Sequence, residues 1–170
     1  ERIWRRAGDP LRLMSVGRLV EKKGSGIIYI GSGVIKLRGS DPMPVRLASI
    51  KRGLDDVIRE FSPESVAVED VFVSKNPRSA LKLGQARGAA ICAGVNRSLP
   101  VAEYAPREIK QAIVGRGGAE KDQVQHMVCV LLQLAASPPS DAADALAVAI
   151  CHGHVQSTQQ RVQQMGRVAR

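Results

Sequence analysis

The stretch Ser137–His154 reads S-P-P-S-D-A-A-D-A-L-A-V-A-I-C-H-G-H and combines a helix start, an apolar run and two carboxylates. Its prolines cannot continue a preceding helix, and Ser140 is a suitable N-cap for a new one. Residues three apart on a helix share a face, so Asp141 and Asp144 are predicted to project together. Two interpretations stay open. Acidic residues in a first turn complement the helix dipole, whereas a functional acidic cluster requires further carboxylates from elsewhere in the chain.

Composition and charge narrow the class of protein. The chain has 170 residues, of which 44% are hydrophobic, which is typical of one globular domain with a sizeable core. Aromatic residues make up only 3%, so the core is expected to be aliphatic. Lys and Arg number 25 against 16 Asp and Glu, and the net charge is +9. Such a charge favours a polyanionic partner, usually nucleic acid, although a merely basic soluble protein is the alternative.

The cysteines and the hydropathy pattern indicate the cellular compartment of the protein. The three cysteines form no C-x-x-C motif and each lies in an apolar helical pattern, so reduced core thiols of a cytoplasmic protein are predicted for Cys92, Cys129 and Cys151. No apolar run is long enough to predict a membrane span, and the first residues lack the apolar region of a signal peptide.

Hydrophobic periodicity predicts alternating strands and helices along the chain. Strands are predicted over 27–37, from 65 to about 69 and over 99–104, and helices over 45–61, 76–97, 106–114, 119–134 and from about Asp141. This alternation predicts an α/β layered fold. Residues 1–20 are expected to be a basic arm with weak structure, and residues 156–170 a flexible basic tail.

Glu69 is a second candidate for chemistry. It follows the short apolar run S-V-A-V, which predicts a buried strand. Chemistry in α/β folds usually lies at the carboxyl ends of strands. A surface charge at a strand end is the alternative for this residue alone.

Five segments carry a resemblance to a known family. They are E-D-V-F at 69–72, S-A-L-K-L-G-Q-A-R-G-A-A at 79–90, I-K-Q-A at 109–112, E-K-D-Q-V-Q-H-M-V at 120–128 and D-A-A-D-A-L-A at 141–147. Through them the chain resembles the RuvC family of bacterial endonucleases that resolve Holliday junctions. The likeness extends over about residues 27–154.

The resemblance implies a fold, an assembly and an activity. The fold is α/β of the RNase H-like type, with a central mixed β-sheet flanked by helices. It forms a single nuclease domain over 1–155 whose first strands, within 1–19, are atypical. The implied activity is metal-dependent phosphodiester hydrolysis, in which a homodimer makes paired symmetric nicks in four-way junction DNA during recombination and repair. A branch-migration complex of the RuvA and RuvB type is the implied protein partner.

The resemblance also implies four acidic metal ligands. Three match the family motifs directly and are Glu69, Asp141 and Asp144. The fourth is expected in an apolar-G-I-D-P-G setting, and counting back from the later glycines gives Asp9. Its neighbours depart from that setting, so Asp9 is a hypothesis that requires residues 2–9 to join the sheet. Hard carboxylate oxygens suit Mg²⁺, and two Mg²⁺ ions per site, replaceable by Mn²⁺, are expected to clamp the attacking and leaving oxygens.

The resemblance implies DNA contacts at Phe72, Lys110 and Lys121, and Arg87 and Arg116 are further candidates for contacts with the DNA backbone. Lysine serves phosphate as a point charge, and an aromatic ring stacks on an unpaired base. Solvated lysines at helix ends and core packing of Phe72 are the alternatives. The helix over 76–97 is implied to contribute to the dimer interface, unless it simply packs on the sheet.

Two functional alternatives stay open beside the resolvase. One is a catalytically impaired junction-binding protein that has lost a ligand in its altered first strand. The other is an RNase H-like nuclease that acts on a different DNA structure. Nicking of a junction distinguishes the first alternative, and preference for junctions over duplex DNA distinguishes the second.

Overall fold

The computed structural model describes residues 15–22, 26–70 and 77–168. Strands and helices alternate over most of this length, in the order β1 (Ser15–Lys22), β2 (Gly26–Val34), α1 (Met43–Phe61), β3 (Val66–Glu69), α2 (Pro77–Val95), β4 (Val101–Tyr104), α3 (Pro106–Val114), α4 (Lys121–Leu131) and α5 (Ser140–Val168). The predicted α/β character is therefore confirmed. The helices predicted from periodicity begin within a few residues of those observed, and all except α5 also end within a few residues of them.

The strands pair in both senses. β1 and β2 are antiparallel, with an irregularity between Arg18 and Leu19, and β3 and β4 are parallel, with Glu69 opposite Tyr104. The antiparallel and parallel pairings that a mixed sheet requires are therefore both present. Within the described residues, however, the strands form two separate two-stranded ladders. The residues expected to form the first strand before Asp9 lie outside the described ranges.

The weak structure expected over 1–20 is wrong for the part that the structure describes. Residues 15–22 form β1, which pairs along its whole length with β2. Arg18 interrupts the apolar alternation of β1, but the backbone hydrogen bonds to a strongly β-forming partner do not depend on that alternation. Tertiary pairing thus overrides local pattern here.

The core is aliphatic, as the composition predicts. One cluster joins α3, α4 and α5 and includes the fully buried Val128, Leu146 and Ile150. A second cluster joins α1, α2 and β3 around Ile50 and Ala93. These clusters fix the carboxyl end of β3 and the beginning of α5, the two elements that carry candidate carboxylates.

Gly94 permits close packing of α2 on the parallel strands. A Cβ atom at this position would lie 3.0 Å from Val66 Cγ2 and 3.2 Å from Val101 Cγ2. Such distances are shorter than normal contacts, so a larger residue would push α2 away from β3 and β4.

The flexible tail expected over 156–170 is replaced by helix as far as Val168. Gln and Arg have good helix propensity, and no proline interrupts this segment. Ser157 Oγ and Thr158 Oγ1 donate to the carbonyls of Gly153 and His154, four residues earlier. Residues 169 and 170 lie outside the described ranges.

The prediction of three core thiols is wrong for Cys92, which is exposed on α2, whereas Cys129 is half-buried and Cys151 is buried. Burial raises the pKa of the Cys151 thiol to about 11, with a smaller effect of Glu108. Among the described residues, no helix is both long enough and apolar enough to cross a membrane.

Candidate active site

Glu69 is the last residue of β3, at the carboxyl end of the parallel pair. Val68 before it is buried, and the backbone N–H of Asp70 after it donates to the carbonyl of Tyr104 at 2.8 Å. The alternation of inward and outward side chains along a strand therefore directs Glu69 out of the core that holds Val68. The predicted strand-end position of this carboxylate is confirmed.

Asp141 and Asp144 lie one turn apart at the beginning of α5. The helix begins at Ser140, and the Ala143 N–H donates to the carbonyl of Pro139 at 2.9 Å. Leu146 and Ile150 bury the opposite side of α5 in the core, while both aspartates remain half-buried. The core thus fixes the rotation of α5 about its axis and keeps both carboxylates accessible.

Glu69 and Asp144 approach each other although they come from different elements. The surrounding protein partly desolvates Glu69 and raises the pKa of its carboxyl, and the negative charge of Asp144 raises it further. Lys121 and Lys110 act in the opposite direction. Four charged side chains from β3, α3, α4 and α5 therefore interact within one site.

Lys121 holds Asp144 in an ion pair. Its Nζ donates to Asp144 Oδ2 at 2.8 Å, with the two side chains 59% and 33% exposed. Lys121 is the first residue of α4, whose start is formed by a capping box in which the Glu120 N–H donates to Gln123 Oε1 at 3.0 Å. The position of this ammonium group is therefore set by the start of the helix.

The loop between α3 and α4 brings the two lysines to the same site. Gly115 ends α3 with φ +81°, a left-handed conformation that favours glycine, and its N–H donates to the Gln111 carbonyl. Lys110 lies on α3 before this turn and is half-buried. Exposed Arg116 follows the turn and donates to Gln123 Oε1 at 2.8 Å. The structure therefore brings Lys110 and Lys121 beside the acids, while Arg116 supports the loop.

The donor chemistry of the site fits a divalent cation. Glu69 and Asp144 offer hard carboxylate oxygens, and their mutual repulsion is relieved by positive charge. Across residues 15–22, 26–70 and 77–168, no three Asp, Glu, His or Cys side chains are placed to hold a metal ion together. The described part of the site is thus a pair of acids, with Asp141 one turn away. Asp9 and Phe72 both lie outside the described ranges, so their predicted roles stay predictions.

Arg87 has two acidic partners. Its Nη2 lies 3.1 Å from Asp70 Oδ1 and also forms an ion pair with Glu103 Oε2. The side chain is 26% exposed, whereas each acid is about half exposed. This arrangement joins α2 to the carboxyl ends of β3 and β4 and favours a structural role, in contrast to the DNA contact predicted for Arg87.

His152 forms a second connection, which sequence reasoning missed. Its Nε2 lies 2.9 Å from Ser65 Oγ and its Nδ1 2.8 Å from the Tyr104 hydroxyl. His152 lies well inside α5, which continues to Val168. The rarity of tyrosine in this chain is the one sequence signal that draws attention to Tyr104, and no local pattern indicates its contact with His152.

Comparison with known proteins relates this site to one family. The family profile described as crossover junction endodeoxyribonuclease RuvC matches residues 9–152. The RuvC of Edwardsiella ictaluri is 56% identical over 154 residues, which cover 91% of this chain and 88% of that protein. The RuvC of Photobacterium profundum is 55% identical over 150 residues, covering 88% and 86%.

Solved structures show the same similarity. Thermus thermophilus RuvC in complex with Holliday junction substrate superposes with a TM-score of 0.78 at 34% identity, covering 84% of this chain and 87% of that one. A second structure of Thermus thermophilus RuvC gives a TM-score of 0.75 at 33% identity, covering 86% and 97%.

Proposed function

The chain belongs to the RuvC family of crossover junction endodeoxyribonucleases, and we propose that it resolves four-way DNA junctions with a site built on Glu69 and Asp144. Its fold is RNase H-like, and its activity is that of a metal-dependent Holliday junction nuclease in recombination and repair. The single observation that carries the site assignment is the approach of Glu69, Asp144, Lys110 and Lys121 at the carboxyl end of β3.

We propose that Glu69 and Asp144 hold the metal, with Asp141 and Asp9 as further ligands. The donor oxygens favour Mg²⁺, with Mn²⁺ as a substitute, and the family resemblance favours two ions per site. When bound, such ions activate a water molecule and stabilise the charge of the scissile phosphate. Glu69 must be ionised to act as a ligand, so protonation of its carboxyl opposes metal binding.

Lys121 and Lys110 supply the positive charge that the chain itself contributes. Lys121 donates to Asp144, and its flexible ammonium would also be within reach of a phosphate oxygen of DNA held at the carboxylates. Lys110, on α3 at the other end of the loop, lowers the pKa of the Glu69 carboxyl through its positive charge. Together they orient the phosphate toward the carboxylates.

The proposed assembly is a homodimer that contacts DNA through Phe72 and Arg116 in addition to the lysines. At Gly84 and Gly88 of α2, a Cβ atom would have no neighbouring atom within 4 Å, so this side of the helix is open. Leu81 on the same helix is 64% exposed. This small-residue face supports pairing with a second copy, and a two-fold axis suits symmetric nicks. A RuvA- and RuvB-type partner and action in the cytoplasm are proposed from the family and from the location of bacterial DNA.

The test is nicking of a synthetic mobile four-way junction with Mg²⁺ by the full chain. Paired symmetric nicks are expected from the wild-type chain and not from Asp144→Asn. Asp56→Asn, which changes an exposed acid paired with Arg59, serves as the matched control and should nick normally. Junction binding without nicks in the wild type would instead support the catalytically impaired alternative, and equal nicking of duplex DNA would overturn the junction assignment.

A further inference from the structure

A cavity of about 280 Å³ lies between the segment after β2 and the first turns of α1. The residues that line it extend from Lys36 to Arg52, and none belongs to the acidic pair or its lysines. It is therefore separate in sequence and in secondary structure from the site described above.

Positive charge dominates this cavity. Four of its lining residues are cationic, Lys36, Arg38, Arg46 and Arg52, against the single acid Asp41 among the described residues that line it. Like charges gathered around one space repel each other, and an anion within the space relieves that repulsion. The cavity is thus suited to an anionic ligand.

The side chains combine a fixed cation with movable ones. Arg46 is 5% exposed and lies on the buried side of α1, so its position is set by the core. Lys36, Arg38 and Arg52 are exposed at the opening, and Arg52 Nη2 donates to Ser49 Oγ at 3.3 Å. Guanidinium groups match the geometry of phosphate oxygens, and a partly buried cation interacts with an anion more strongly than one in bulk water.

The beginning of α1 also favours an anion in this cavity. Pro42 at the N-cap offers no capping side chain, and the first turn contains no acidic residue. The positive end of the helix dipole is therefore not neutralised by the cap or the first turn of α1 itself.

We propose that this cavity binds a backbone phosphate of a DNA arm outside the cleavage site. The identity of the ligand rests on the proposed function, because the family's substrate is branched DNA whose arms extend beyond the nicked phosphates. An arm phosphate held there adds affinity and orients the arm without contributing to the chemistry.

The experiment compares two double variants that lose the same charge. Arg38→Gln with Arg52→Gln changes exposed cavity residues, whereas Arg59→Gln with Arg97→Gln changes arginines that pair with Asp56 and Asp55. Binding of a labelled four-way junction is measured by fluorescence anisotropy in EDTA over a range of salt concentrations. Single-turnover nicking is measured separately at saturating protein.

The cavity variant is expected to lower the slope of log affinity against log salt by about 1, because one phosphate contact is lost. If the variant and the wild type bind equally near 1 M salt, this difference in slope makes the variant bind roughly tenfold more weakly than the wild type at about 0.1 M salt. The control variant is expected to keep the wild-type slope, and nicking at saturation should be unchanged in both. Equal slopes in the two variants would overturn the proposal.

Two further measurements keep the outcome decisive. Titration with inorganic phosphate distinguishes the source of the anion, since phosphate binding that the cavity variant abolishes, with junction affinity unchanged, would identify a free-anion site and overturn the DNA assignment. In the wild-type chain, junction DNA should protect Lys36 from acetylation, and absence of protection would contradict the proposal even if the variant failed to fold. Because these readouts measure binding, they remain interpretable if the chain proves unable to nick.

Discussion

The Nζ atom of Lys121 lies 2.8 Å from Oδ2 of Asp144, and this contact joins the start of α4 to the first turns of α5. Asp144 in turn raises the pKa of the Glu69 carboxyl at the end of β3. The electrostatics of the proposed site thus depend on the ion pair between Lys121 and Asp144 and on the repulsion between Asp144 and Glu69. The ion pair and the repulsion each lead to a prediction.

Lys121→Gln should separate function from stability. The ion pair with Asp144 is largely exposed, so its loss should change the free energy of unfolding by at most about 1 kcal/mol. Single-turnover nicking should fall at least tenfold, because a cation beside the scissile phosphate is lost. Lys51→Gln is the matched control, since Lys51 pairs with Asp55 at 2.6 Å elsewhere on the surface and should leave nicking intact. Equal nicking by the two variants would contradict the assigned role.

Glu69→Gln should alter stability in a pH-dependent way. The raised pKa means that ionised Glu69 destabilises the folded chain at neutral pH, and that this effect disappears well below the ordinary value of 4.5, where the carboxyl is protonated in both states. Without metal, the variant should be at least as stable as the wild type at pH 7 and indistinguishable at pH 3 in chemical unfolding.

Metal should make the wild-type chain more stable than Glu69→Gln at neutral pH. Added Mg²⁺ should raise the melting temperature of the wild-type chain and leave that of Glu69→Gln unchanged, because a ligand that binds only the folded state stabilises it. Nicking by the wild type should decline as pH falls through the raised pKa of Glu69. A melting temperature that rises equally in both proteins would refute Glu69 as a ligand.

Arg87→Met should behave as a structural change. Loss of the contacts with Asp70 and Glu103 should destabilise the chain by about 1–2 kcal/mol, since two half-exposed acids lose a charged hydrogen-bonding partner. The slope of junction affinity against salt should stay at the wild-type value, whereas a phosphate contact would lower it by about 1. Arg107→Met, at an exposed arginine of α3, is the control for urea unfolding. A reduced slope would restore the DNA contact predicted from the sequence.

His152→Phe should remove an acid-sensitive connection. Burial lowers the pKa of His152 below 6.5, so the folded chain prefers neutral imidazole, and the stability it contributes is present above pH 6.5 and lost as pH falls through the lowered pKa. The free energy of unfolding of the variant should be lower than that of the wild type by about 1–2 kcal/mol at pH 7.5, because the Ser65 and Tyr104 hydroxyls lose their hydrogen-bonding partner. The difference from the wild type should shrink at pH 5. Exposed His154→Phe should show neither effect, and an undiminished difference at pH 5 would contradict this account.

Local sequence patterns determined the elements of this fold. Apolar spacing defined α1 and α4, proline and serine defined the beginning of α5, and a short apolar run defined β3 up to Glu69. Helical spacing alone placed Asp141 and Asp144 on one face. The family resemblance further indicated Lys110 and Lys121 as contacts for the DNA phosphate. These inferences succeed because backbone hydrogen bonding and side-chain periodicity act over a few residues.

The tertiary structure alone decided which distant side chains meet. Arg87 reads as a free cation in the sequence, yet α2 packs beside β3 and β4 and brings it to Asp70 and Glu103. Residues 1–20 read as a basic arm, yet pairing with β2 makes residues 15–22 a strand. The residues around His152 indicate no partner for it, yet it bonds to Ser65 and Tyr104 from within a long helix. Such contacts depend on how buried faces orient whole elements, and no local pattern specifies that orientation.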